Sequence, residues 1–264
     1  MFFAADRHSK LEKKALYWWE PRDNRVNVGD YLSKVIVSEV LSLKDLELVD
    51  KKDKSKRVFA IGSVLHFAKT SETVWGSGVN WKVDLSKHQF SDLDVRAVRG
   101  PLTRDYLMTR GISVPEIFGD PALLAPLFLP ADLLCPSEQA SVPYVVIPHL
   151  HEPPEKFSAY RDRLLLPTSK PATFISELLK ARMVVSSSLH GIILAEAYGI
   201  PAIYLDIGNG ESIEKYDDYY LGTGRVDYHT SASVEEGLEK GGNALFPLHD
   251  IQMGLLSAFP WDLW

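Results

Sequence analysis

Short apolar runs that end in small, polar turns recur along the chain, and helical periodicity follows several of them. The runs that suit buried parallel strands span residues 16–19, 57–61, 73–76, 94–98, 144–147, 183–185 and 201–205. Apolar residues at helical spacing occupy residues 31–43, 102–110, 173–181 and 192–198. Because strands alternate with helices, the pattern predicts an α/β fold built on parallel sheets.

The strand–loop–helix pattern is interrupted once, by an irregular segment at residues 130–143 that contains several prolines. We therefore predict two Rossmann-like domains that face a cleft, residues 1–135 and residues 136–244. The remaining segment, residues 245–264, contains a short apolar helix and four aromatic residues. We expect it to pack across the domain junction.

Residues 184–206 read VVSSSLHGIILAEAYGIPAIYLD and place a hydroxyl-rich turn with His190 between a strand and a helix. Ligands of open α/β sheets bind at the carboxyl ends of strands, and a helix N-terminus favours an anion. A histidine at this place can transfer a proton or face a negative ligand. Alternatively, the serines only cap the helix and His190 packs against its base.

The composition of the chain argues against several classes of function. The net charge of −6 argues against a broad nucleic-acid surface, so an anionic substrate needs a local basic pocket. Cys135 is the single cysteine, which excludes an intrachain disulfide and a CxxC-type zinc site. The polar N-terminal sequence does not suit a signal peptide, and no apolar run matches a membrane span, so we expect a cytoplasmic protein. Trp261 and Trp264 would allow peripheral contact with a membrane surface.

Five short motifs occur in a fixed order along the chain: Asn27-Val28-Gly29-Asp30, Gly76-Ser77-Gly78, Val98-Arg99, Gly119-Asp120-Pro121-Ala122 and Ser187-Ser188-Leu189-His190-Gly191. In this order they resemble the polysaccharide pyruvyl transferases, over roughly residues 27–224. Many members of that family follow the arginine with an aspartate, where this chain has Gly100. The resemblance is greatest to small bacterial members that act in exopolysaccharide synthesis. It implies a two-domain fold similar to glycosyltransferase B, and transfer of a pyruvyl unit from phosphoenolpyruvate to a sugar as a cyclic ketal.

The resemblance and the strand-end positions together nominate His190, Arg99 and Asp30 as catalytic residues. His190 would handle a proton or bind phosphate, and Arg99 would hold the phosphate or carboxylate of the donor through two parallel hydrogen bonds. Asp30 would act as a base or accept hydrogen bonds from sugar hydroxyls. The structural alternatives are an ion pair of Arg99 with Asp120 or Asp94, and a helix N-cap for Asp30.

Donor and acceptor ligands are predicted on opposite domains. The candidate donor ligands follow strands of the C-terminal domain and are Ser187, Ser188, Lys215 and His149. The candidate acceptor ligands are Asn27, Gly29, Gly62, Ser63, Gly76 and Gly78, where the glycines would let an acceptor come close. Helix capping by the serines and an exposed loop position for Lys215 are the alternatives.

Two further residues are interpreted without a direct role in transfer. Asp120 precedes Pro121 and is interpreted as a turn-forming residue. A zinc pair formed by His149 and His151 would lack further ligands at suitable spacing, so we expect no metal.

The predicted partners are phosphoenolpyruvate, as a co-substrate without any other cofactor, and a sugar acceptor in the form of a lipid-linked oligosaccharide. Such an acceptor would place the protein at the cytoplasmic face of the inner membrane. The fold alone leaves two other functions open, a nucleotide-sugar-dependent glycosyltransferase and a non-catalytic sugar-binding protein of the same pathway. The concentration of arginine and histidine at strand ends favours an enzyme.

Overall fold

The computed structural model describes residues 2–23, 25–135 and 141–264 of the 264-residue chain. These residues form a mixed α/β structure with two sheets of four parallel strands, which confirms the predicted α/β class. The predicted domain boundary between residues 135 and 136 borders residues 136–140, which lie outside the described residues. The division into residues 1–135, 136–244 and 245–264 stays a prediction.

The first sheet has the strand order β1-β2-β3-β4, and all its pairs are parallel. Its strands are β1 (Leu16–Tyr17), β2 (Val58–Phe59), β3 (Thr73–Trp75) and β4 (Asp94–Ala97). The central strands are covered on both faces, since Val58, Phe59, Val74 and Trp75 have no exposed surface. This burial explains why the strands read as continuous apolar runs in the sequence.

The second sheet has the strand order β5-β6-β7-β8 and is also parallel throughout. Its strands are β5 (Val145–Ile147), β6 (Val184–Ser186), β7 (Ala202–Leu205) and β8 (Thr230–Ser231). Each of the predicted strands in this half is therefore present, and each begins one residue later than the apolar run predicts. The edge strand β8 was not predicted, because its two residues carry no apolar run.

The α-helices of the described residues are α1 (Phe2–Ala15), α2 (Val28–Ser42), α3 (Pro101–Thr109), α4 (Ala125–Phe128), α5 (Ala131–Leu134), α6 (Pro171–Leu178), α7 (Leu189–Ala197), α8 (Glu214–Gly222), α9 (Val234–Lys240) and α10 (Leu248–Ser257). The apolar face of α2 enters a core cluster that contains side chains of both sheets, among them Val58 and Val184. The two sheets therefore share buried apolar contacts, which stabilise the cleft between them.

Two helices begin three residues earlier than the periodicity predicts, and each shift places a candidate site residue inside a helix. Helix α2 begins at Val28 with Asn27 at its N-cap, so Asp30 lies in the first turn and the predicted N-cap role for Asp30 is wrong. Helix α7 begins at Leu189, because the Ser188 hydroxyl accepts a hydrogen bond from the Gly191 amide at 3.4 Å. His190 is thus the second residue of a helix, held by helical backbone.

The C-terminal segment packs mainly on the N-terminal half of the chain. The Trp75 indole donates to the Leu255 carbonyl at 2.8 Å, and the Gln252 amide donates to the Leu123 carbonyl at 2.8 Å. The Trp264 indole donates to the Glu47 carbonyl at 3.1 Å, and its side chain is buried. The expectation that Trp264 could contact a membrane surface is therefore wrong, since the ring belongs to the core.

Candidate active site

Loops that follow strands of both sheets line one cleft with a volume of about 300 Å³. Seven of the predicted site residues line it, namely Asn27, Asp30, Ser63, His149, Ser188, His190 and Lys215. The cleft also contains residues that sequence reasoning did not select, including Trp19, His66, Asn80, Lys82 and Glu211. The carboxyl edges of the two sheets therefore meet at one place, as expected for ligand binding in open parallel sheets.

Asp30 presents an almost fully buried carboxyl group to the cleft. The Asn27 side-chain amide donates a hydrogen bond to its Oδ2, and a Cβ added at Gly62 would lie only 2.6 Å from its Oδ1. Burial raises the pKa of Asp30 to about 6; Asp120 adds to this rise, whereas His190 and Lys215 oppose it. A carboxyl group with this pKa can exchange a proton near neutral pH.

The raised pKa of Asp30 predicts a pH-dependent gain in stability for the Asp30→Asn variant. The folded protein holds this proton more tightly than the unfolded chain does, so the unaltered protein loses stability as the pH rises from about 4 to about 6. Two pH units correspond to about 3 kcal/mol, and about half of this falls between pH 5 and pH 7.5. The substituted amide does not titrate, so urea unfolding should show the variant's advantage over the unaltered protein growing by about 1.5 kcal/mol across that interval.

The control for this measurement is Asp227→Asn, because Asp227 is exposed. The difference in free energy of unfolding between this variant and the unaltered protein should be the same at both pH values. A constant difference for Asp30→Asn as well would contradict the raised pKa.

His190 faces a buried carboxylate on one side and a glycine on the other. Its Nε2 lies 3.7 Å from Asp120 Oδ2, and neither atom has a hydrogen-bond partner among the described residues. The other oxygen of Asp120 accepts a hydrogen bond from the Ala122 amide at 3.0 Å, so the predicted turn-forming role is confirmed. Asp120 thus forms its turn through one oxygen and directs the other, fully buried one towards the His190 ring.

Gly29 leaves the space that the His190 ring occupies, since a Cβ at this position would overlap the ring atoms Nδ1 and Cγ. Gly29→Ala should therefore displace His190. If His190 has the catalytic role that the sequence predicts, the turnover number should fall by about 100-fold, because small errors in the placement of a catalytic group are costly. Transfer assays on the purified variant would measure this loss.

Gly254→Ala provides the matched control for Gly29→Ala, because the nearest neighbour of an added Cβ there, the Ile117 Cγ2, is 3.8 Å away. Full activity of Gly29→Ala would show that the position of His190 does not govern the rate.

The serine-rich turn contains one serine behind the cleft and one that lines it. Ser187 is fully buried, and its hydroxyl donates to the Glu152 carboxylate and accepts from the His149 amide. Ser187 does not line the cleft, so its predicted hydroxyl donation to an anion has no support in the geometry. Ser188 lines the cleft and caps α7, which confirms the capping alternative for this residue and leaves donor binding a prediction.

Lys215 lies on α8 and is buried, so the exposed loop position considered for it is wrong. Its ammonium group donates to Glu211, which also accepts from Lys82 Nζ at 3.0 Å. Burial lowers the pKa of His149 to about 4, with Lys215 adding to the effect, so the imidazole is neutral at physiological pH. These side chains form the positively charged end of the cleft. Lys82 and Glu211 were missed because single charged residues in loops are usually solvated.

Arg99 has no exposed surface and does not line the cleft. Its guanidinium group donates to Asp218 at 3.0 Å, to the Ser63 hydroxyl at 2.6 Å and to the Val79 carbonyl at 3.2 Å. The expected ion pair with Asp120 or Asp94 is therefore wrong, because the partner is Asp218. Since these donors are engaged inside the protein, the geometry favours a structural role over direct contact with the donor.

The glycines predicted to admit an acceptor instead admit the protein's own side chains. Gly62 approaches Asp30, Gly76 approaches Pro121 and Gly78 approaches the Arg99 guanidinium group. None of the three lines the cleft in the described part of the chain. Gly62 and Gly76 also have φ values of +105° and +93°, a region that disfavours other residues. The sequence pattern does mark positions that require glycine. The physical reason is that the protein's own side chains pack closely against them behind the cleft.

A metal cofactor would require a cluster of ligand side chains, and a membrane span would require a long apolar helix. Within residues 2–23, 25–135 and 141–264, no group of three or more His, Cys, Asp or Glu side chains is arranged to hold a metal ion. In the same residues, no helix combines the length and the apolar character needed to cross a membrane.

Comparisons with known proteins match most of the length of the chain. The chain is 24% identical over 247 residues to an uncharacterized protein of Acanthamoeba polyphaga mimivirus, a match that covers 88% of this chain and 84% of the viral protein. No solved structure is significantly similar to the chain. The family model described as polysaccharide pyruvyl transferase matches residues 27–209, a span that contains most of the residues lining the cleft. The chain therefore belongs to the polysaccharide pyruvyl transferase family.

Proposed function

We propose that the protein transfers a pyruvyl group from phosphoenolpyruvate to a sugar of an exopolysaccharide or of its lipid-linked precursor, forming a cyclic ketal. The family assignment supports pyruvyl transfer to a polysaccharide. The observation that carries the finer proposal is one cleft that contains proton-exchanging groups, Asp30 and His190, beside the buried cation Lys215. Phosphoenolpyruvate needs both, because it is an anion that must be protonated at carbon before it reacts.

The proposed reaction adds two sugar hydroxyls to the donor and releases phosphate. His190 gives a proton to the methylene carbon, so that C2 becomes an electrophilic, oxocarbenium-like centre. Asp30 accepts the proton of the attacking hydroxyl, and a C–O bond forms at C2. The C2–O bond to phosphate then breaks, and a second hydroxyl closes the ring. Of the two hydroxyl protons, one balances the new methyl group and the other leaves with phosphate.

The charged end of the cleft would hold the donor. Lys215, with Lys82 from the opposite half, supplies positive charge, and neutral His149 and Ser188 supply hydrogen bonds. The acceptor would lie towards Asn27, Asp30 and Ser63. In this proposal the two sheets correspond to the acceptor and donor domains of a glycosyltransferase-B-like arrangement. Arg99 acts as a positioning residue behind the cleft.

The donor and the lipid-linked acceptor suggest where the protein works. Phosphoenolpyruvate is a cytoplasmic metabolite, so we place the reaction in the cytoplasm, at the inner face of the membrane that carries the acceptor. Trp261 is partly exposed and stacks under the Lys44 ammonium at 4.0 Å, which is compatible with a peripheral membrane contact.

The decisive experiment incubates the purified protein with phosphoenolpyruvate and a panel of synthetic and lipid-linked glycosides. A product heavier by one pyruvyl ketal, with one phosphate released per product, is the expected result. Thermal stabilisation by a nucleotide sugar, without such a product, would instead identify a glycosyltransferase. Acceptor binding that is unaffected by His190→Ala, again without product, would identify a sugar-binding protein.

A further inference from the structure

The Glu211 carboxylate lies in the cleft between cationic side chains from both halves of the chain. Its Oε1 accepts a hydrogen bond from Lys82 Nζ at 3.0 Å, and its Oε2 accepts one from Lys215 Nζ. The His149 Nε2 is 3.9 Å from the same Oε2. Only 8% of the Glu211 side chain is exposed. An internal carboxylate therefore occupies the position between the two lysine ammonium groups of the cleft.

The charge on Glu211 is maintained by these neighbours. Burial alone would raise the pKa of Glu211, but Lys215, His149 and Lys82 lower it to about 2. The pKa of Lys215 is affected in the opposite sense: burial lowers it, and Glu211 raises it. Each ion would be costly to bury alone, so the site requires one negative charge whenever Lys215 is protonated.

Glu211 lies on a loop, whereas the two lysines that contact it lie on other segments of the chain. Glu211 lies between the end of β7 and the start of α8, shortly after Gly208 and Gly210. Both glycines have positive φ values, +67° and +74°, and an added Cβ at either would have no atom within 4 Å. Lys215 belongs to α8 itself, and Lys82 belongs to the other half of the chain. A displacement of the Glu211 carboxylate therefore does not require a displacement of α8 or of Lys82.

We propose that Glu211 occupies the anion site of the ligand, and that a small phosphorylated or carboxylated ligand binds by replacing it between Lys82 and Lys215. The inference rests on the proposed function, in which that ligand is phosphoenolpyruvate. Because the incoming group must displace a bound carboxylate, a doubly charged phosphate has an advantage over a singly charged anion. Glu211 is then a specificity-determining residue of the donor site.

The test measures binding of inorganic phosphate by isothermal titration calorimetry, independently of any transfer reaction. Glu211→Gln removes the competing charge and keeps the side-chain volume, so phosphate should bind at least about tenfold more tightly. Lys82→Gln should weaken phosphate binding. Glu214→Gln is the matched control, because Glu214 is exposed in the first turn of α8 and its substitution should leave affinity unchanged. Thermal unfolding of each variant verifies that it is folded.

The outcomes separate a competing from a supporting role of Glu211. If Glu211 only holds the lysines in position, Glu211→Gln will bind phosphate no more tightly than the unaltered protein, and the inference is overturned. Tighter binding supports it. A gain in phosphate affinity without pyruvyl transfer from phosphoenolpyruvate would retain the anion site for another phosphorylated donor and reject the proposed function alone.

Discussion

Replacing His190 by alanine is expected to lower the turnover number for pyruvyl transfer by about 100- to 10,000-fold, the usual contribution of a positioned acid or base. The ring lies in the cleft, held by the first turn of α7 and by contact with Gly29. Its removal also leaves the buried Asp120 Oδ2 without the imidazole nitrogen that lies 3.7 Å away. Phosphate release from phosphoenolpyruvate in the presence of the acceptor would measure the loss.

The control for His190→Ala is His249→Ala, which removes an exposed histidine from α10 and should retain full activity. His190→Gln keeps a hydrogen-bonding side chain of similar length and tests whether the loss reflects chemistry or disturbed packing. Turnover of both His190 variants within about threefold of the unaltered protein would exclude a catalytic role for this residue.

Replacing Arg99 by methionine is expected to lower the free energy of unfolding by about 3 to 5 kcal/mol, because it leaves a buried carboxylate unpaired. Asp218 has no exposed surface, and besides Arg99 it accepts hydrogen bonds from the Thr103 amide at 2.9 Å and hydroxyl at 2.7 Å. Urea unfolding followed by tryptophan fluorescence would measure the change. The double variant Arg99→Met/Asp218→Asn should recover part of the loss, because the unpaired charge is removed as well.

Arg25→Met is the control, because Arg25 pairs with Asp23 where both side chains are about half exposed. Its loss should stay below about 1 kcal/mol. The measurement also separates the two interpretations of Arg99. If Arg99→Met leaves the stability unchanged but weakens donor binding, Arg99 contacts the phosphate or carboxylate of the donor directly, as the sequence suggests.

The strand–turn–helix unit around His190 could be predicted because its information is local. The apolar run of β6, the serine turn and the apolar helix α7 follow one another within a few residues, and the position of His190 at the strand end follows directly. The order of the five motifs likewise identified the family, which the family model confirms. Local patterns also placed seven of the predicted site residues in the cleft, since parallel strands bring their carboxyl ends to one edge.

The environment of Arg99 could not be predicted, because its partner Asp218 lies 119 residues away. A strand-end arginine looks the same in sequence whether it faces a ligand or a buried carboxylate. Glu211 and Lys82 were not predicted for a related reason, because their ion pair joins loops from different halves of the chain. Helix α1 was missed because its sequence is mostly polar and has no continuous apolar face of the usual length.

The contact around Asp218 has a consequence for how this protein can change over time. A side chain at Gly100 would overlap the Asp218 backbone, and one at Gly222 would overlap the Arg99 carbonyl. Arg99, Gly100, Asp218 and Gly222 thus form one unit in which a substitution at any position is harmful unless another changes with it. We therefore expect single substitutions in this unit to lower the free energy of unfolding. Laboratory evolution towards new acceptors should therefore vary the exposed rim of the cleft and leave these four positions fixed together.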